Sequence, residues 1–264
     1  MPVKIEIGDN SNDPRVISLR EYTEGRANFN RHYFYTPAEQ EFGGQVISVQ
    51  WDDLQNAVQG FINQTGTVPE NVALRFVHCF MPGIAGEVSE LKLRLQICAM
   101  IPSLVPPPLG VSQVYDLDTT NAVWYEISNN SFVSTSDETL FGAAYLSNFY
   151  FKADPASADL EPLTDGPTTY VKNLVLPWGD EVLQMYTNNG SPVGAGVNFA
   201  ACSYYSTPEH ANVDWPHGMV IFLTTATGQP MLDNNDYIHI FHNKGADYAT
   251  MCPPHCDVYY APNV

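Results

Sequence analysis

The stretch Gln45-Val46-Ile47-Ser48-Val49-Gln50-Trp51-Asp52-Asp53-Leu54 decides how this chain folds, because its pattern returns as Lys172-Asn173-Leu174-Val175-Leu176-Pro177-Trp178-Gly179-Asp180-Glu181. In both, an apolar, β-branched run reads as a strand and meets a Trp followed two residues later by Asp. Beyond the tryptophans, Leu54, Ala57, Val58 and Phe61 keep helical spacing, as do Val182, Leu183 and Tyr186. Acidic residues in a first turn complement the helix dipole. The turns Asn63-Gln64-Thr65-Gly66 and Asn188-Asn189-Gly190 supply residues that end helices in the left-handed conformation.

Outward from these two stretches the correspondence continues. Upstream, Ser18-Leu19-Arg20-Glu21 and Thr135-Ser136-Asp137-Glu138 are capping boxes, in which the hydroxyl caps a free N–H and the glutamate reaches back to the cap. They predict a helix over about residues 18–31 and another through Leu140, Ala143, Ala144 and Tyr145. Downstream, Leu74-Arg75-Phe76-Val77-His78-Cys79 matches Val197-Asn198-Phe199-Ala200-Ala201-Cys202. The offsets are 117 from Ser18 to Thr135, 127 from Trp51 to Trp178 and 123 from Cys79 to Cys202, differences that loop insertions absorb. Strands are expected over 72–80 and 91–100 in the first copy and over 196–204 and 219–225 in the second.

The expected class is α+β: two related helix-strand-helix-strand-strand units with mostly antiparallel sheets, arranged as a pseudo-two-fold pair. Residues 1–101 form the first unit and 111–264 the second. Between them, residues 102–110 with the run Pro106-Pro107-Pro108 read as a Pro-rich linker, since consecutive prolines forbid helix and favour an extended spacer. Val114-Tyr115 and Val123-Trp124-Tyr125-Glu126-Ile127 read as further strands without a counterpart in the first copy.

Composition narrows the function classes. The 264 residues carry a formal charge of −18, and charged residues make up 15%, well below the ~25% usual for soluble domains. Residues 1–94 hold eight Lys and Arg against twelve acids, whereas residues 95–264 hold only Lys152, Lys172 and Lys244 against seventeen. So few cations cannot neutralise phosphates, which argues against nucleic acid and anionic membranes as partners. The opening Met1-Pro2-Val3-Lys4-Ile5-Glu6 has no apolar secretory stretch and no window reads as a membrane span. A cytoplasmic location is expected, with signal-independent export as a further route. Five cysteines without a signal sequence point to mainly reduced thiols.

The candidate chemistry gathers near the end. In Met251-Cys252-Pro253-Pro254-His255-Cys256-Asp257, two thiols four positions apart flank a rigid Pro-Pro, and they can bind a soft metal, close a small disulfide or end the fold in a fixed shape. With His239 and His242 upstream, the set His239, His242, Cys252, His255 and Cys256 resembles a zinc ligand list. Against it, Tyr237-Ile238-His239-Ile240-Phe241-His242 alternates as a strand does, and residues three apart on a strand face opposite sides. A second cluster of ligand and acid-base types is Glu209, His210, Asp214 and His217, read more simply as a hydrogen-bonded loop. Cys79 and Cys202 occupy matched positions and read as small buried hydrophobes; His78 beside Cys79 points the other way on a strand and makes no catalytic pair with it. Asp116 and Asp118 lack the glycine and distal glutamate of a calcium loop. No phosphate-binding glycine loop or nucleophile elbow is present.

The order of elements and the tail resemble a family of short proteins from Bacteroidetes bacteria. Its members combine an N-terminal helix, a strand-helix segment, a strand similar to Gly-Ile-Arg-Phe-Tyr, a second apolar strand and a Pro-Cys-Pro-Pro-x-Cys ending. Residues 17–31, 46–61, Val72-Ala73-Leu74-Arg75-Phe76, 91–98 and 251–257 carry the resemblance here. The chain is about twice the family's usual length, and Met251 replaces the leading proline. The resemblance implies a bacterial origin and an α+β unit, and it assigns no catalytic residue.

The expected function is that of a non-enzymatic structural or protein-interaction protein, self-assembling or bound to another protein, because catalytic constellations are few and aromatic residues many. The alternative is a metal-dependent enzyme or metal-stabilised small-ligand-binding protein using the C-terminal His and Cys cluster, with zinc as its metal.

Overall fold

Each of the two Trp-containing stretches is a strand that turns into a helix. β2 (Ile47–Gln50) runs directly into α1 (Trp51–Thr65). β7 (Asn173–Pro177) runs into a π-helical turn, Trp178–Leu183, that continues as the short helix α2 (Gln184–Asn188). The computed structural model describes residues 16–18, 22–23, 26, 47–81, 90–107, 111–128, 131–135, 173–203, 217–231, 237–242 and 258–262.

Helix α1 buries Trp51, Leu54, Val58 and Phe61, the stripe that its 3.6-residue period demands, and exposes Asp52 and Asp53 in its first turn. It stops at Gly66, whose φ of 72° lets its N–H reach the Ile62 carbonyl oxygen at 2.8 Å. A 3-10 turn, Pro69–Asn71, then leads into the next strand.

The other strands are β1 (Val16–Ser18), β3 (Val72–Met81), β4 (Glu90–Pro102), β5 (Val111–Ser128), β6 (Ser131–Thr135), β8 (Gly196–Ser203), β9 (His217–Thr224), β10 (Tyr237–His242) and β11 (Val258–Pro262). They form two antiparallel sheets, one ordered β1-β10-β9-β8-β2 and the other β11-β5-β4-β3-β7, with β6 added beside β5. The class is α+β with antiparallel sheets, as the sequence predicts. The two strand orders correspond position by position, β2 with β7, β8 with β3, β9 with β4, β10 with β5 and β1 with β11.

Each Trp-bearing strand pairs with the strand that follows the other helix. Gln50 lies opposite Gly196, and Pro177 lies opposite Ala73. The register agrees in both sheets: the residue four before each tryptophan, Ile47 or Leu174, faces Phe199 or Phe76. Alternate residues of these strands point into a single apolar core drawn from both sheets and both helices. It holds Trp51, Leu54 and Phe61 with Leu74, Phe76, Leu95, Ile97, Trp178, Val182, Val197, Phe199, Ile221 and Leu223. Matched residues of the two stretches meet there, Trp51 stacking on Trp178 with ring centroids 5.3 Å apart and Phe76 touching Phe199 at 5.2 Å.

The Pro-rich segment has a different place from the one its composition suggests. β4 and β5, on either side of it, are neighbours in one sheet, with Pro102 opposite Tyr115 and the Ser103 N–H bonded to the Val114 carbonyl at 2.8 Å. The segment is therefore a hairpin connection. Consecutive prolines fix extended backbone, which suits a hairpin tip as well as a spacer. Residues on both sides of it, Leu74 and Val197 among them, enter the same core.

The two apolar runs at Val114-Tyr115 and Val123–Ile127 are halves of β5, joined by a bulge. Between the pairs Ile97/Val123 and Ala99/Asp118, β4 contributes Cys98 alone while β5 contributes 119–122. Asp118 stabilises the bulge by accepting a 2.9 Å bond from the Thr120 N–H. At the first capping box, Ser18 closes β1, and Tyr22, Thr23 and Arg26 beyond it are helical. Tyr22 sets its ring edge on Phe222 at 5.1 Å, covering the outer side of the first sheet. Thr135 ends β6, and the helix expected after it lies outside the described residues. No helix among the described residues is long and apolar enough to cross a membrane.

Candidate interaction surface

Of the predicted ligand set, His239 and His242 lie on β10, His239 in register with Val16 of β1 and His242 with Val220 of β9. Cys252, His255 and Cys256 fall outside the described residues, as do Glu209, His210 and Asp214 of the second cluster; His217 opens β9 opposite Ser203. Among the described residues, no group of three or more His, Cys, Asp or Glu side chains is placed to hold a metal. Cys79 lies on β3 in register with Lys92, and Cys202 on β8 in register with Gly218. Cys98 is buried in the smaller apolar cluster with Ala73, Met100 and Val175.

Polar side chains are also buried within the second sheet, on the side away from the main core. Arg75 and Gln96 are opposite each other in the β3–β4 register, and the guanidinium donates to the Gln96 Oε1 at 3.0 Å. Arg94 lies opposite Glu126 with 3.8 Å between charged atoms and donates to the Thr135 hydroxyl at 3.4 Å. Such cross-strand pairs fix register, because a one-residue slip would move each charge to the other face. In the first sheet, the position matching Arg75 is Asn198, which accepts a hydrogen bond from the Ser48 hydroxyl. Beside these groups Tyr125 stacks on Phe132 at 4.5 Å, and burial raises its phenol pKa above the usual value. These contacts belong to the scaffold.

The solvent side is more informative. Large hydrophobic residues exposed among the described residues are Val68, Ile101, Leu104, Val105, Val133 and Val193, with Leu104 at 101% and Val193 at 96% of full exposure. Single exposed hydrophobes are ordinary, so their distribution is what counts. Ala195 accepts the Trp51 N–H at 3.0 Å, which sets Val193 near the start of α1. Gly179 lies against the backbone of Pro69 and Glu70, which sets Val68 near Trp178. Trp51 and Trp178 stack on each other, so both loops leave the same end of the two sheets. β4 also ends there, because Val72 at the start of β3 faces Ala99, and the hairpin carries Ile101, Leu104 and Val105 beyond it. Only Val133, on β6 opposite Glu126, is remote.

Around these five side chains stand exposed carboxylates. Asp52 and Asp53 occupy the first turn of α1, Asp180 the turn after Trp178, Glu70 the 3-10 turn, and Asp116 the position opposite Ile101. The segments that bear them hold no Lys or Arg. Two main-chain donors of the described part of the hairpin, 103–107, are bonded within it. Val105 donates its N–H to the Ser103 hydroxyl at 3.2 Å, Ser103 donates to Val114, and Pro102, Pro106 and Pro107 have no N–H.

Local sequence pattern does not mark this end, because an apolar Pro-rich stretch has the composition of a linker. One signal was present, the lack of any charged residue between Arg94 and Asp116 in a chain of net charge −18. No protein-family model, curated protein or solved structure matches the chain.

Proposed function

We propose that the protein is a non-enzymatic interaction protein, built from two related units that share a core, which meets its partner with the end of the sheets carrying Leu104, Val105, Ile101, Val68 and Val193. The observation supporting this reading is the gathering at one end of five of the six large hydrophobic side chains exposed among the described residues. Contiguous exposed apolar surface is the usual mark of an interaction site. Burying a Val, Leu or Ile fully contributes about 1.5–3 kcal/mol, so three such residues exceed the lower estimates of the ~4–15 kcal/mol cost of association. The correspondence of strand orders supports a relation between two halves in which strands are exchanged, β2 pairing with β8 and β7 with β3.

The test is size-exclusion chromatography with light scattering, joined to affinity capture on the wild-type chain and on Leu104→Ser combined with Val193→Ser. The reading expects an assembly or a captured partner that the double substitution removes. A strict monomer that captures nothing refutes it.

A further inference from the structure

We infer that the occupant of this end is a basic amphipathic helix of a partner protein. This rests on the interaction reading above and goes further by specifying the partner's chemistry.

The exposed surroundings of the five hydrophobes are acidic, with Asp52, Asp53, Glu70, Asp116 and Asp180 and no cation on the same segments. A second copy presenting the same end would set carboxylates against carboxylates, and like charges brought together cost several kcal/mol. Anionic lipid and nucleic acid meet the same repulsion. The complementary surface is therefore apolar with a cationic border.

The hairpin that carries Leu104 and Val105 offers little to strand addition, which depends on a row of free main-chain donors and acceptors. At the hairpin tip three residues have no N–H, and the N–H groups of Ser103 and Val105 are already bonded. Recognition by the hairpin then runs through the side chains of Ile101, Leu104 and Val105. A helix with an apolar stripe flanked by Lys and Arg offers both required chemistries on one element.

The experiment titrates the full chain into two labelled synthetic peptides, one of Leu and Lys in amphipathic helical order and one with the same lysines but Ser for every Leu, and follows fluorescence anisotropy at physiological salt. The Leu/Lys peptide should bind at least tenfold more tightly. Leu104→Ser with Val193→Ser should weaken it at least tenfold and leave the Ser/Lys peptide unchanged, while Val133→Ser alters neither. Asp52→Asn with Asp53→Asn should weaken both peptides and flatten their salt dependence. Equal binding of the two peptides, or indifference to the Leu104 and Val193 substitutions, overturns the inference. If those substitutions instead dissolve a homo-oligomer seen by light scattering, the interaction reading survives and the basic helix does not. A monomer that binds neither peptide refutes the inference, and the affinity capture described above then decides the broader reading separately.

Discussion

Trp51 and Trp178 come from the two matched stretches and stack on each other, so the stability of the chain should register their contact directly. Trp51 is 1% exposed, stacks on Trp178 at 5.3 Å and on Tyr186 at 4.0 Å, and donates its Nε1–H to the Gln55 Oε1 at 3.0 Å. Truncating a buried Trp to Ala removes about 3–5 kcal/mol, and two such losses approach the whole ~5–15 kcal/mol of a folded protein. Leucine keeps part of the volume and is the better probe. Aromatic pairs contribute about 0.5–1.5 kcal/mol beyond their area, and a partly exposed hydrogen bond about 0.5 kcal/mol more. Trp51→Leu forfeits two stackings and the bond to Gln55, whereas Trp178→Leu forfeits the one stacking with Trp51, so Trp51→Leu should cost more by about 1–2 kcal/mol. The pair should show a coupling of about 0.5–1.5 kcal/mol in a double-mutant cycle.

The assay is urea unfolding followed by far-ultraviolet circular dichroism and by tyrosine fluorescence, for wild type, both single variants and the double variant. A shared core predicts one coincident transition in all four. The reasoning is refuted by two separate transitions of which Trp51→Leu moves only one, or by a coupling indistinguishable from zero.

Three further outcomes follow from particular contacts. A Cβ on Gly179 would lie 2.9 Å from the Glu70 Cα, a backbone atom that cannot yield cheaply, so Gly179→Ala should destabilise by about 1–3 kcal/mol in urea unfolding. Gly60, an exposed position in α1 where a Cβ meets nothing within 4 Å, should behave oppositely: Gly60→Ala should stabilise by up to about 1 kcal/mol, measured as a rise in the urea midpoint. Burial raises the Tyr125 pKa, so the unfolded chain ionises first, from the ordinary value of 10.0, and this contribution is complete below that pH and lost as pH rises through the folded value. Circular dichroism between pH 8 and 12 should show that alkaline loss, and Tyr125→Phe should diminish it.

What the sequence disclosed depended on how local the cause was. α1 was legible because Leu54, Val58 and Phe61 repeat at helical spacing and Gly66 ends the run. The turn after Trp178 was legible as helical but not as a π-helix, since Trp178 and Val182 on one face suit either winding. Strand positions followed from alternation, whereas strand partners did not. Nothing local to Ile47–Gln50 indicates that it pairs with Gly196–Ser203, about 150 residues away, because that choice is made by burial in the common core. The proline run is ambiguous for a physical reason: Pro106 and Pro107 dictate extended backbone without dictating what lies at either end. His239 and His242 were rightly placed on a strand, and the thiols beyond them fall outside the described residues.

The places where the two matched stretches differ are as telling as those where they agree. Trp51 is followed by Asp52, which is exposed, and Trp178 by Gly179, which is pressed against the turn at Pro69 and Glu70. At the next matched pair, Ala73 packs among Cys98, Met100 and Val175, whereas Gly196 lies so close to the Thr224 side chain that a Cβ would meet its hydroxyl at 2.5 Å. Both glycines, Gly179 and Gly196, belong to the second copy, and both lie at the end of the sheets where the tryptophans stack. The side chains that diverge there are small where backbones cross and acidic or apolar where the surface meets solvent. Packing explains the glycines. It does not explain Leu104 and Val193, which touch little of the fold and are nearly fully exposed. Side chains that large contribute little to the fold at that exposure, which is what the interaction surface proposed above requires of them.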